Sequence, residues 1–205
     1  MSTIQDARPD TEPLNIQYSS TQVRADALLR LQRTHGVVKA DRSELTESFK
    51  MLRNQVLQRM RADGFNLLAV TSARRIEGKS LTALNLALTM AADYDSAVLL
   101  VDADLSGHGL QSMFGFDGAP GLSDHLTHGT PIAELLINPG VSRFVLLPAG
   151  QQAVVNSSEL LATKLAQQLI REMKERYQDR YIIVDLPPLL DTADALAFIP
   201  QVDTT

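Results

Sequence analysis

The sequence predicts an α/β fold: a mostly parallel sheet with helices on both faces. Three observations predict it. Apolar runs of strand length at 65–72, 97–102, 143–148 and 181–186 alternate with helix-length segments at 79–93, 131–137, 158–177 and 192–199. Such alternation implies parallel strands joined by right-handed crossovers. The stretch 73–80 (ARRIEGKS) lies between the first run and the first of these helices, where sheets of this class gather ligands. Three aspartates, Asp102, Asp104 and Asp185, stand at the ends of two further apolar runs.

The N-terminal part is read separately. Residues 1–20 are polar and dotted with prolines, a composition expected of disorder. Segment 23–33 (VRADALLRLQR) carries apolar residues at helical spacing and predicts a short amphipathic helix, with Gly36 as its stop. Its mixed charges suit docking to protein better than to a membrane. Leu45, Phe49, Leu52, Val56 and Met60 recur at three- and four-residue steps and predict a second helix over 43–60. The chain therefore divides into a flexible extension with a short helix, 1–42, and one domain, 43–205.

Composition sets outer limits. The 205 residues suffice for one domain of ordinary size plus an extension. A hydrophobic content of 44% with 21% charged residues is that of a soluble globular protein. A net charge of −5 argues against bulk electrostatic binding of nucleic acid or anionic lipid. With no cysteine there is neither a disulfide framework nor a thiolate metal site, which suits the cytosol. No apolar stretch reaches the roughly 18 residues that span a bilayer, and the start, MSTIQDARPD, lacks a secretory pattern. Membrane association is expected only through a partner.

The stretch 73–80 fits the phosphate-binding loop pattern, with Ala73 in the place of the first glycine. Main-chain N–H groups of 75–79 can curl around a phosphate, Gly78 permits close approach, and the next helix points its positive end at the anion. Nucleotide contacts are accordingly placed on Arg74, Arg75, Ile76, Glu77, Gly78, Lys79, Ser80 and Leu81. Lys79 is expected to reach the β- and γ-phosphates, and the Ser80 hydroxyl to ligate Mg²⁺. A hydrated Mg²⁺ there calls for a nearby carboxylate, which suits Asp185. Strand alternation puts Asp102 and Asp104 on one side. One of them can orient or deprotonate the attacking group while the other helps hold the metal. Taken singly, each aspartate is explained as well by ending a strand and capping a loop. Together beside a phosphate loop, they favour a Mg-nucleotide site.

The motifs TSARRIEGKSLTALNLA, VLLVDADLSGHGLQSMFG, GLSDHL, LLPAG, NSSELLA and RYQDRYIIVDLPPLLDTADA follow one another from about residue 44 onward. In that order the chain resembles the bacterial tyrosine autokinases (BY-kinases) of capsule and exopolysaccharide export, a branch of the MinD/ParA-like P-loop ATPases. RYQDR and PPLL most resemble the branch associated with exosortase/PEP-CTERM and exopolysaccharide loci. The resemblance implies a P-loop NTPase fold that binds Mg-ATP and transfers a phosphoryl group to tyrosine. It implies Lys79 as phosphate ligand, Ser80 as metal ligand, Asp102 as base, and Asp104 and Asp185 as metal partners. Glu47, Lys50 and Arg53 match the family's E-x-x-R-x-x-R ring-assembly element, with lysine in the first arginine's place. A cytoplasmic protein is implied, recruited to the inner face of the plasma membrane by a membrane-embedded polysaccharide co-polymerase.

Departures from the family pattern carry their own expectations. Arg75-Ile76 stands where Pro-Gly is usual, which restricts the backbone and adds charge near the phosphates. Leu81 replaces a hydroxyl residue that commonly touches the α-phosphate. Ser106-Gly107-His108-Gly109 replaces the usual Arg residues and Pro after the double Asp. His108 is expected in an exposed loop, and His35, His125 and His128, without metal-ligand spacing, are expected to face solvent. The family's tyrosine cluster is lacking: Tyr18, Tyr94, Tyr177 and Tyr181 are scattered, and the last two fit packing at a strand entrance. Asp203-Thr204-Thr205 reads as the start of a further core strand, so the chain is expected to be a fragment or a shortened relative completed by a partner. Because the family's missing part helps hold adenine, ATP affinity is expected to be weak. A competing expectation is an assembly module that binds or slowly hydrolyses ATP without kinase activity, as partitioning and septum-site ATPases do, or a degenerate kinase acting as a scaffold.

Overall fold

Four apolar runs build most of the sheet in the computed structural model, which describes residues 21–39, 41–93, 95–106, 109–176 and 180–205. They are β2 (Leu67–Val70), β3 (Ala97–Asp102), β5 (Phe144–Leu147) and β6 (Arg180–Asp185), joined by two short strands, β1 (Gln22–Val23) and β4 (Ile137–Asn138). The order across the sheet is β1-β4-β5-β3-β6-β2. All pairings are parallel except β4 with β5, where Ile137 lies opposite Leu146 in antiparallel sense.

The central strands are apolar on both faces because helices cover both. Leu67, Ala69, Leu99, Val101, Val145, Leu147, Ile182 and Val184 pack into one layer. Their alternates Leu68, Val98, Leu100, Phe144, Leu146 and Ile183 pack into the other. Full burial of each larger side chain stabilises the fold by about 1.5–3 kcal/mol. The second layer is closed by α1 (Ala27–Thr34), α2 (Glu44–Asp63), α3 (Lys79–Ala91) and α4 (Leu110–Phe114). The first is closed by α5 (Leu122–His128), α6 (Ile132–Leu135), α7 (Ser157–Leu161), α8 (Lys164–Arg176) and α9 (Asp194–Phe198).

Local chemistry sets the boundaries. Ser43 caps α2 by accepting from Thr46 N, and Gly64 ends it in the left-handed region, so the helix runs three residues beyond the periodic pattern. The segment 158–177 forms two helices, because the Thr163 hydroxyl accepts the amide of Ala166 at 3.2 Å and starts α8 afresh. Within 131–137 only four residues are helical, and Ile137 already belongs to β4.

The stretch 22–38, assigned to the extension on sequence, supplies an edge strand and a buried helix of the same domain. β1 runs parallel to β4, and Leu31 of α1 is 1% exposed. Buried Asn85 of α3 accepts from Val38 N at 2.8 Å and donates to Gly36 O at 2.9 Å. At the opposite edge Thr204 makes a parallel bridge to Leu68, on the outer side of β2. Residues 1–20, Tyr18, Tyr94, Gly107, His108 and Tyr177 lie outside the described residues.

Candidate nucleotide site

The candidate site lies at the carboxyl ends of three adjacent strands. β6 lies between β3 and β2, with Asp185 in register with Asp102 on one side and Val70 on the other. Strand pairing thus converts a separation of 83 residues along the chain into neighbouring positions.

The loop leaving β2 is tied to the loop leaving β6. The Thr71 hydroxyl donates to Pro187 O at 2.8 Å, Leu189 N to Ser72 O at 2.9 Å, and Leu190 N to Ala73 O at 3.1 Å. Arg75 Nε is 3.6 Å from Asp191 Oδ2. Within the loop, Arg74 N donates to the Glu77 carboxylate at 3.1 Å. Glu77 therefore occupies an amide that the loop pattern offers to phosphate. Ile76 is fully exposed and sits at φ 65, a left-handed conformation costly for a β-branched residue. It is the position at which the family pattern carries glycine.

α3 starts at Lys79, with Gly78 as its N-cap in the left-handed region. Among the described residues no side chain caps this end, and the first turn carries no acidic residue, so the positive helix end is open to an anion. Leu81 is half-buried against the core layer, so its side chain is turned to packing.

Lys79 and the acids form one electrostatic group. Lys79 Nζ is 3.0 Å from Asp104 Oδ2, 3.5 Å from Asp185 Oδ1 and 3.2 Å from Ser80 Oγ. Asp104 also accepts from the Ser106 hydroxyl. Burial works to raise its carboxyl, but Lys79 and Ser106 outweigh this and hold it below the ordinary value. Asp102 is fully buried, accepting from Gln111 N at 2.8 Å and Asp104 N at 3.2 Å. Burial, then repulsion from Asp185, pushes it up to about 8. Asp185 is also fully buried, and burial pushes it up to about 6 against the pull of Lys79. Among the described residues no hydrogen bond of good geometry reaches either Asp185 oxygen, and Lys79 at 3.5 Å and the Ser80 hydroxyl are its polar neighbours.

Two buried, orphaned carboxylate oxygens beside a serine hydroxyl fit a hard divalent cation completed by phosphate oxygens and water. Among the described residues, no group of three or more His, Asp or Glu side chains is placed to hold a metal alone. The three aspartates thus differ in setting: Asp102 is held by main-chain amides, Asp104 by a close Lys79 contact, and Asp185 only by the longer Lys79 contact.

Some of the surroundings were not legible as site residues. Gln111 caps Asp102 and exchanges side-chain hydrogen bonds with Gly150 at 2.9 and 3.0 Å. Gly109 lies so close that an added Cβ would meet Asp102 Oδ1 at 2.4 Å. The GLSDHL and LLPAG segments interlock: Leu122 N and Ser123 N donate to Pro148 O and Ala149 O, while Asp124 accepts from Gly121 N and Gln151 N. They brace the β5 end.

The three residues assigned to ring assembly are engaged within their own chain. Lys50 pairs with Glu47 at 2.8 Å, and Arg53 donates to Thr89 O at 3.2 Å. Lys50 and Arg53 line a 460 Å³ cleft together with Val38 and Leu88. His35 and His128 are exposed, whereas His125 is half-buried with Nδ1 2.8 Å from Thr130 O. Half-buried Tyr181 accepts from Arg61 Nε at 3.1 Å. No helix among the described residues is long and apolar enough to cross a membrane.

A phosphate loop on β2, an open helix end and acidic strand ends on β3 and β6 define a P-loop NTPase. Residues 65–203 match the ParA family model, described as NUBPL iron-transfer P-loop NTPase, and the chain belongs to this family. Within it, the chain is similar to bacterial tyrosine kinases. The tyrosine-protein kinase CpsD of Streptococcus agalactiae is 32% identical over 130 residues, 63% of this chain and 55% of CpsD. The succinoglycan biosynthesis transport protein ExoP of Rhizobium meliloti (strain 1021) is 32% identical over 174 residues, 82% of this chain and 21% of ExoP. The kinase domain of Escherichia coli tyrosine kinase ETK superposes with a TM-score of 0.71 at 26% identity, covering 90% of this chain and 73% of that domain. The chain spans about half the length of CpsD and about a fifth of ExoP.

Proposed function

We propose that the chain is the Mg-ATP-dependent catalytic domain of a bacterial protein-tyrosine kinase that regulates exopolysaccharide polymerisation and export. The observation that carries this is Lys79 held between Asp104 and Asp185 at the foot of the 73–80 loop. In the reaction, the tyrosine oxygen bonds to the γ-phosphorus as the bond from that phosphorus to the β–γ bridging oxygen breaks. ADP leaves with the electron pair. Asp102 is the residue to take the hydroxyl proton once it is ionised; in the nucleotide-free site burial raises it to about 8 and keeps most of it protonated at neutral pH. Lys79 and the main-chain amides of 75–79 neutralise charge on the transferring group. Ser80 and Asp185, with Asp104 adjacent, are the residues to hold Mg²⁺, which when bound supplies further neutralisation of the phosphate oxygens.

Ring assembly through Glu47, Lys50 and Arg53, and recruitment to the inner face of the plasma membrane by a polysaccharide co-polymerase, belong to the same proposal. So does a place in the exosortase-associated branch, which RYQDR and PPLL support.

A second reading, an ATP-binding or ATP-hydrolysing assembly module, is favoured by Ile76 at φ 65 and by Glu77 on the Arg74 amide. Both raise the cost of seating a phosphate. Incubation with γ-labelled ATP and Mg²⁺ separates the two. Label on protein tyrosine, abolished by Asp102→Asn, supports the kinase; release of free phosphate alone supports the module.

A further inference from the structure

We infer that Arg75 reads the terminal phosphate of the nucleotide and is held in reserve by Asp191. The inference rests on the phosphate-site reading above. Arg75 lies in the phosphate loop, with its Nε 3.6 Å from Asp191 Oδ2; the two side chains are 47% and 26% exposed. Asp191 is brought there by the main-chain bonds from Leu189 to Ser72 and Leu190 to Ala73. The loop after β6 therefore lies along the loop after β2, and the ion pair closes that seam at the mouth of the site.

The pair is built for exchange. One long contact between partly exposed groups is worth at most about a fivefold change in an equilibrium. A terminal phosphate presents several charged oxygens to a guanidinium fork, a stronger and more directional acceptor than a single carboxylate oxygen. Of the other charged groups around the loop, Glu77 lies on the Arg74 amide, and Lys79, which the site reading assigns to the phosphates, pairs with Asp104 and Asp185 deeper in the site. Arg74 is exposed on the same loop, but among the described residues no carboxylate side chain pairs with its guanidinium as Asp191 does with Arg75. Asp191 thus competes with the terminal phosphate for Arg75. A triphosphate displaces it, and a diphosphate, ending one group short, leaves the pair closed.

The test is calorimetric titration of the full chain with ATP and with ADP in Mg²⁺, for the wild type, Asp191→Asn, Arg75→Gln and the double variant. Asp191→Asn is expected to tighten ATP about two- to fivefold, the exposed pair's worth, and to leave ADP unchanged. Arg75→Gln is expected to weaken ATP about tenfold and erase the preference for ATP over ADP, and the double variant is expected to match it. If Asp191→Asn leaves the ATP-to-ADP ratio unchanged, or weakens both nucleotides together as a loop-bracing residue would, the inference is overturned while the site reading stands. If the wild type binds neither nucleotide, the site reading falls and takes the inference with it.

Discussion

Lys79 donates to Asp104 at 3.0 Å in a setting where the two side chains are 10% and 4% exposed. The cation that the loop offers to phosphate is therefore already neutralised, and an incoming phosphate must share it with an acid. Removing Lys79 leaves Asp104 and Asp185 buried without their cation. Lys79→Met is expected to lower stability by about 3 kcal/mol and to weaken ATP binding at least tenfold. Urea denaturation and nucleotide titration check the two effects separately.

Ile76 gives a prediction of opposite sign. At φ 65 an L-residue carries about 1–2 kcal/mol of conformational strain that glycine does not. Ile76→Gly is expected to raise stability by about 1 kcal/mol after the larger unfolded-state entropy of glycine is counted, and to tighten ATP. A melting temperature about 2–4 °C higher is the corresponding reading; a lower one would show that the exposed side chain makes a stabilising contact.

The buried acids set a pH dependence. Asp102 and Asp185 have folded values raised to about 8 and about 6 from 3.8. In the nucleotide-free protein they bind protons more tightly when folded than when unfolded. Their contribution is fully present below pH 4 and is lost as pH rises, through about 6 for Asp185 and about 8 for Asp102. Stability should fall between pH 5 and pH 8 with a slope of up to about 1.4 kcal/mol per unit for each proton involved. Asp102→Asn should flatten the upper part of this slope, as chemical denaturation across the range would reveal.

Gly109 tests the shape of the Asp102 enclosure. A Cβ there would come within 2.4 Å of Asp102 Oδ1, so Gly109→Ala must displace either the acid or the main chain that covers it. A loss of about 1–3 kcal/mol is expected, together with most of the phosphotransfer activity. Wild-type turnover in this variant would mean that Asp102 has room to move and is not fixed by the segment above it.

The β2–loop–α3 unit was legible because three cues coincide: a short apolar run, Gly78-Lys79-Ser80, and a change to helical spacing. The acidic strand ends were legible for the same reason, since apolar runs stop at Asp102 and Asp185. What escaped was tertiary. Gln111 caps Asp102 through its main-chain amide, a role that its side-chain type does not announce. The two-residue strands β1 and β4 are too short to show alternation, and Ile137 suits a strand as well as a helix. The break at Thr163 turns on one hydroxyl competing for a main-chain amide. The left-handed Ile76 runs against its own local preference, and only the family's glycine at that position pointed to it.

The most direct test of the central claim is equilibrium binding of ATP to the purified chain with Mg²⁺, with EDTA in its place, and in the Lys79→Met and Asp185→Asn variants. One saturable site per chain is predicted, weakened at least tenfold by EDTA and by either substitution. Binding indifferent to Lys79 and Asp185, or no binding at all, would contradict the assignment of this cradle to a Mg-nucleotide.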